Sequence, residues 1–369
     1  MINEYLIPPG FKDEVTFDAY VEHEYKNKIV DYFKNNGFDL VKTPLVEFAF
    51  KKNNNNFLIN VKKGEEKLKI RNDITPQIIR LASSRLSKIK RPLKLCYYGE
   101  VVRQNGTMLR PERQFLQVGA ETIGEKNVEA DIEIIKLAYE SLSLIGIKNI
   151  TIELSSRIFL DKLFSSIRIQ SIKKKLEDLI RKKELQNCFA LVNEKNSELL
   201  KNIFLCTGSY NKIKKNLKLL CIDKVTSNEI EKIINIGNKF QLHKKNNIYI
   251  DFCEINEKNY HSGIRFTFFA KDVRGEIASG GRYLINKKNN LETATGFTCF
   301  MDTIIRASSF ENYSKKILIP FKTSIRLKSK LSKKGYVLFS IFEECQDLRK
   351  EAKNYGCKYY LHNTKVKEI

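Results

Sequence analysis

RQFLQVGAETIG, residues 113–124, decides how this chain folds. Apolar and polar residues alternate along it, the period of a strand with two different faces. Arg113, Phe115, Gln117, Gly119 and Glu121 share one face, and Leu116, Val118 and Ala120 share the other. The apolar set suits packing against helices. A solvated sheet face would show polar residues at the same period, but a glycine inside a strand often marks close approach by a ligand or by backbone. The preceding strand-like run, residues 93–103, brings Arg103 into phase with Tyr97 and Gly99. The two runs are joined by QNGTMLRPE (104–112), a polar loop with a glycine and a proline.

Elements on either side fill out an α+β pattern. Phe17, Tyr20, Val21, Tyr25, Ile29 and Phe33 form the stripe of an amphipathic helix over 17–36, with Gly37 where a left-handed stop is wanted. Residues 38–48 read as a strand. Thr75-Pro76 reads as a helix start, a hydroxyl cap followed by proline in the first turn. A further helix is expected over 128–145 and a strand at 149–154. From 156 to 245 the chain is rich in Leu, Ile and Lys, poor in Gly and Pro, and helical in spacing. Strand signals resume at 248–252, 264–270 and 295–301, with a helix after Met301. ILIPF, a Lys-rich helix, YVLFSIF, a second helix, KYYLHN and KVKEI then form a small α/β unit. The expected organisation is a core from 1–155 and 246–312, built on an antiparallel sheet flanked by helices, a helical insertion at 156–245, and a C-terminal domain at 313–369.

Composition narrows the function. Eight cysteines and four histidines lie scattered, with no Cys-x-x-Cys pair, so neither a metal nor a disulfide framework is expected. No apolar run approaches a membrane span, and the acidic N-terminus lacks the layout of a secretory signal, so the expected location is cytoplasmic. The net charge of +23 invites a nucleic-acid reading. Much of it sits in Lys-Asn tracts such as 51–56 and 286–290, with few aromatics beside them to stack on bases, and nucleic acid is not the expected partner.

KIRNDITPQIIR, YYGEVVRQNGTMLRPERQFLQVGAETIG, NYHSGIRFTFFA, IASGGRY and ATGFTCFMDTIIRA together resemble the signature blocks of the class II histidyl-tRNA synthetase family. YLIPPGFKDE, LRPERQFLQVGAE and YHSGIRFTFFA are closer to its non-synthetase branch, the ATP phosphoribosyltransferase regulatory subunits. The resemblance covers roughly 5–155 and 248–310. It implies a class II synthetase-like sheet and a histidine pocket. The family's acidic residue and threonine before a helix fall on Asp73 and Thr75, its motif 2 arginine on Arg103, and its polar pair on Gln117 and Glu121. Its aromatic pair falls on Tyr260 and His261. Asp73 and Glu121 suit an ammonium, Arg103 a carboxylate and Gln117 a polar side chain.

The activation machinery departs from the family. Asn105 stands where the resemblance implies a nucleotide-fixing glutamate, Asn256 where it implies the catalytic arginine, with Glu257 following, and Thr303 where it implies the arginine that stacks on adenine. Each lost electrostatic contact to developing negative charge costs about 3 kcal/mol, roughly a hundredfold in rate. The resemblance therefore implies a non-catalytic chain without a cofactor of its own. Such a chain assembles with, and self-associates within, a hetero-oligomer of a short-form ATP phosphoribosyltransferase catalytic subunit, with L-histidine as effector. Two rivals remain: a divergent histidyl-tRNA synthetase, opposed by Asn256 and Thr303, and a synthetase-like RNA-binding module, opposed by the scarcity of aromatics among the basic tracts.

Overall fold

A computed structural model describes residues 5–15, 17–49, 56–59, 66–241, 247–254, 261–287, 290–308 and 315–369. The chain divides into two compact units, Met1–Ser309 and Phe310–Ile369.

The first unit is organised by a sheet of nine described strands. Their order is Asp39–Val41, Leu93–Val102, Gln114–Ile123, Asn290–Phe300, Ala278–Lys287, His261–Ala270, Ile150–Ser156, Asn247–Ile250 and Gly208–Ser209. Pairing is antiparallel except at two places. Asp39–Val41 runs parallel to Leu93–Val102, and Ile150–Ser156 runs parallel to Asn247–Ile250.

The two faces are used differently. On one, the helices Phe17–Asn35 and Val128–Leu144 pack; Phe33 meets the edge of Phe297 at 5.4 Å, and Asp131 reaches Arg282 at 2.9 Å. On the other, the helix Thr75–Ser83 covers one end, its Ile78 and Ala82 buried with Leu95, Tyr97, Ile123, Tyr283 and Ile285. Gly37 closes the first helix at φ +85°, the left-handed conformation expected from its position.

Several expectations are corrected. Residues 38–48 form not one strand but two, Asp39–Val41 and Val46–Phe48, in different sheets. Pro44, which cannot donate a ladder hydrogen bond, lies between them. Val46–Phe48 pairs with Leu68–Ile70, which pairs in turn with Phe57–Ile59. Thr75 is not a cap: the N-cap position is Ile74, and the Thr75 hydroxyl is engaged across the sheet. In the Lys-Asn tract 286–290, Asn286 pairs with Leu291 and Lys287 with Asn290. The other Lys-Asn tract, 51–56, lies outside the described residues except for Asn56.

The described part of the expected insertion, 156–241, is mainly helical, with the pieces Ile158–Ser165, Gln170–Arg181, Leu185–Phe189, Glu194–Leu205 and Lys224–Gln241, although Gly208–Ser209 within it joins the edge of the sheet. It is stitched to the sheet by Ser156 Oγ donating to Glu229 Oε1 (2.7 Å) and by Lys183 on Asp251 (2.9 Å). The Phe310–Ile369 unit is a three-layer α/β sandwich. Its strands run in the order Tyr336–Ser340, Lys315–Ile319, Tyr359–His362, Lys365–Glu368, parallel except for the last hairpin. Helix Ile325–Lys333 packs Leu331 on one face of this sheet, and Leu348–Asn354 packs Ala352 on the other. Ser324 and Asp347 cap the two helices, accepting amides of the first turn. All eight cysteines are free thiols.

Candidate functional site

Strand register gathers the polar residues of 113–124 under the helix Thr75–Ser83. Glu121 pairs with Leu95 on one side and Gly296 on the other, and Gly119 pairs with Tyr97 and Thr298. Glu121 is fully buried, and its carboxyl group is enclosed by hydroxyls. Thr75 Oγ1 donates to Oε1 at 3.0 Å, and Tyr283 OH to Oε2 at 2.9 Å. Tyr97 OH stands 3.5 Å from Oε1 and 2.7 Å from Thr298 Oγ1. The carboxyl sits against Gly296, where any Cβ would overlap Oε2. Burial, reinforced by the nearby Asp73 charge and opposed by the hydroxyl donors, pushes the Glu121 carboxyl up to about 8.

Two pocket residues behave differently from their sequence-level reading. Gly119 is bare for an internal reason: its missing Cβ makes room for the Tyr97 phenol and the Phe297 carbonyl, not for a ligand. Gln117 uses its Oε1 to accept the Ile74 amide at 3.1 Å, fixing the start of the helix. That bond supplies what the absent Thr75 cap does not.

Arg103 follows the strand end at an isolated bridge to Asn56. Its guanidinium lies over the Phe115 ring at 4.7 Å, and no carboxylate among the described residues is in ion-pair range of it. Burial and then the Arg110 charge lower its pKa, while Asp73 acts in the opposite direction. It remains a cation at neutral pH. Arg110, from the loop 104–112, turns inward and is almost completely buried. It stacks on Phe300 at 3.9 Å and Phe115 at 5.1 Å, and its Nε donates to Asp302 Oδ2 at 3.0 Å. Thr303 is fully buried beside it, accepting from Arg110 Nη2 (3.4 Å) and Arg306 Nη2 (3.3 Å). The space around Thr303 is thus already filled by guanidinium groups of this chain.

Of the other expected site residues, Asp73 precedes the helix and acts electrostatically on Glu121, Tyr97 and Arg103. His261 begins the strand His261–Ala270, opposite Tyr283. Tyr260, Asn256 and Glu257 lie outside the described residues. Tyr97, Tyr283, Thr298, Arg110 and Asp302 were not read as site residues from the sequence. Tyr97, in phase with Arg103, carried a local signal; all five lie within the blocks that resemble the family, which located their segments without singling them out. Among the described residues no group of three His, Cys, Asp or Glu side chains could hold a metal, and no helix is long and apolar enough to cross a membrane.

The hydroxyl cage makes a measurable claim. Tyr283→Phe removes a donor to a buried carboxyl without changing the ring, and should cost about 1–3 kcal/mol. A urea midpoint unchanged from wild type would show that Tyr283 does not satisfy Glu121.

A largely antiparallel sheet with one face under helices, and polar residues of two hairpins converging beneath a third helix, is the core of a class II aminoacyl-tRNA synthetase-like protein. Within that class the chain belongs to the histidyl-tRNA synthetase family, whose model matches residues 10–304. Curated relatives similar over the full length include the ATP phosphoribosyltransferase regulatory subunits of Rhodospirillum centenum and Paramagnetospirillum magneticum. The first is 29% identical over 99% of this chain and 96% of the relative; the second is 28% identical over 100% and 98%. Among solved structures, an ATP phosphoribosyltransferase regulatory subunit/histidyl-tRNA synthetase from Bacillus halodurans is similar with a TM-score of 0.79 at 19% identity, covering 98% of this chain and 97% of that one. A chain of the ATP phosphoribosyl transferase (HisG:HisZ) complex from Thermotoga maritima is similar with a TM-score of 0.60 at 18% identity, covering 76% of this chain and 98% of that one.

Proposed function

We propose that this chain is the regulatory subunit of a short-form ATP phosphoribosyltransferase, acting in the first step of histidine biosynthesis in the cytoplasm and catalysing no aminoacyl transfer itself. The observation that carries this reading is the end-to-end likeness to curated regulatory subunits, 96–98% of whose length is matched in the two relatives named above. The site chemistry supports it. Thr303 replaces a cation that adenylation would use, and the Arg110–Asp302 pair occupies its surroundings. Such a pair is neutral overall and bound inward, whereas a nucleotide site needs cations aimed at phosphate.

L-Histidine is the proposed effector. Arg103, a half-buried cation with no carboxylate of the described residues in ion-pair range, matches the carboxylate of a free amino acid, and Asp73 on the same side matches its ammonium. Glu121, enclosed by hydroxyls and held near neutrality, then serves the pocket as a hydrogen-bonding wall. The catalytic partner and a second copy of this chain complete the proposed hetero-oligomer.

The test is to mix the purified chain with a short-form catalytic subunit and follow phosphoribosyl-ATP formation with and without histidine, alongside size-exclusion chromatography. The partner should be weakly active alone, more active in complex, and then inhibited by histidine. A coupling of about 1–3 kcal/mol corresponds to a 5- to 150-fold change in affinity. A partner fully active and histidine-sensitive without this chain would refute the assignment. So would robust histidine-dependent pyrophosphate exchange by this chain alone.

A further inference from the structure

The site face of the sheet carries a second polar cluster, four strands beyond Glu121. Pairing places Thr267 between Ser279 and Glu153, and Glu153 between Thr267 and Tyr249, so these side chains stand in one row on that face. With strands ~4.8 Å apart, Glu153 lies roughly 19 Å from Glu121.

The neighbouring row is internally satisfied. Arg265 Nη1 meets Glu254 Oε1 at 2.6 Å, and Ser155 Oγ donates to Glu254 Oε2 at 3.2 Å. At the rim Lys183 holds Asp251 at 2.9 Å. Glu153 and Thr267 are different. Thr267 is only 3% exposed, yet its Oγ1 has no hydrogen-bond partner among the described residues. Glu153, half-buried beside it, makes no ion pair or hydrogen bond there. Arg265 is engaged by Glu254 and Lys183 by Asp251, and among the described residues neither cation makes an ion pair with Glu153. Burial, then Glu254 and Asp251, push the Glu153 carboxyl up to about 7, as expected of a carboxyl in want of a cation.

We propose that Glu153, Thr267 and Tyr249 form a binding site for the primary ammonium group of a small organic molecule, separate from the Asp73–Arg103–Glu121 pocket. An ammonium group has three donors: the carboxylate takes one, the orphan threonine oxygen a second, and the partly exposed Tyr249 ring offers a π face. A divalent metal fits less well, because no group of three metal-ligating side chains assembles among the described residues. The site is independent of the regulatory reading.

The full-length protein is titrated calorimetrically with propylammonium and with putrescine at fixed ionic strength, with acetate as the anionic control. Saturable binding of an amine, weakened at least tenfold by Glu153→Gln and left intact by Glu121→Gln, is the expected result. Thr267→Val should weaken binding several-fold without lowering the melting temperature, since the hydroxyl has no hydrogen-bond partner among the described residues. No saturation by either amine, equal binding by wild type and Glu153→Gln, or loss in Glu121→Gln alone would each overturn the proposal. A Glu153→Gln variant that melts higher while no amine binds would mark the carboxyl as structural only, and would overturn it too.

Discussion

Replacing Glu121 by glutamine is expected to remove a loss of stability that the wild-type protein suffers as pH rises from about 4.5 to about 8. The folded state holds the Glu121 proton more tightly than the unfolded chain does. Over that window the native state therefore binds more protons, and stability falls with rising pH. The contribution is fully present below 4.5, the ordinary value, and is lost as pH passes through 8. At about 1.4 kcal/mol per pKa unit the total is on the order of several kcal/mol. Glutamine keeps the shape and an acceptor for the surrounding hydroxyls, while Thr75, Tyr97 and Tyr283 can each turn to accept or donate. Glu22 and Glu153 are both raised to about 7, so the whole protein titrates in the same range. The informative quantity is therefore the difference between variant and wild type in urea unfolding at pH 5, 7 and 9. That difference should grow in favour of the variant as pH rises; a constant difference would mean that Glu121 is ionised throughout.

The cage around Glu121 also explains what the sequence could reveal. Alternation in 113–124 placed Gln117, Gly119 and Glu121 on one face correctly, because period 2 is a local property of a strand. What those residues touch is not local. Thr75, Tyr97 and Tyr283 lie 46, 24 and 162 residues from Glu121. Without the register of Gly296 against Glu121, nothing marks Tyr283 as a partner. Gly119 shows the limit from the other side. Its bareness was legible, but whether a ligand or a phenol fills the space depends on Tyr97 in the next strand.

Arg110 is a sharper instance. Nothing local in the polar loop QNGTMLRPE distinguishes Arg110, and it is 4% exposed because Phe300 and Asp302, about 190 residues later, supply a ring and a carboxylate. The strand Ala278–Lys287 was missed for a compositional reason. Ala-Ser-Gly-Gly-Arg has no β-branched residue, and a Cβ at Gly280 would strike the Gly296 carbonyl. The family resemblance located this segment where local propensity was silent. Helix boundaries in 17–36 and 128–145 were legible to within a residue or two, since both carry a buried stripe with a glycine stop.

The opposite face of the sheet is held by another buried cation, and its removal should be among the most costly single changes in the chain. Arg282 is 6% exposed and Asp131 1%. The guanidinium meets the Asp131 carboxylate at 2.9 and 3.0 Å, and also donates to the backbone carbonyls of Glu125 (2.7 Å) and Asn127 (2.9 Å). One side chain thus fixes the start of the helix Val128–Leu144 against the strand Ala278–Lys287. Arg282→Ala leaves a buried carboxylate without its cation and two carbonyls without a donor, and should cost about 3–5 kcal/mol. The pair need not be stabilising merely because breaking it is costly. Taking both charges out of water carries a penalty of several kcal/mol per ion, so replacing them together by apolar residues of similar volume is often neutral, or stabilising by about 1–4 kcal/mol. Arg282→Met with Asp131→Leu should therefore recover much of what either half loses alone, although the two carbonyls still lack a donor. Because Arg282 and Asp131 act on the face away from Glu121, the double variant should retain the Glu121 pH dependence at wild-type strength. Urea unfolding of the two single variants and the double variant closes the cycle. A loss below about 1 kcal/mol in Arg282→Ala, the range of an exposed pair, would mean that water reaches Asp131 and that the pair is not the buried anchor described above.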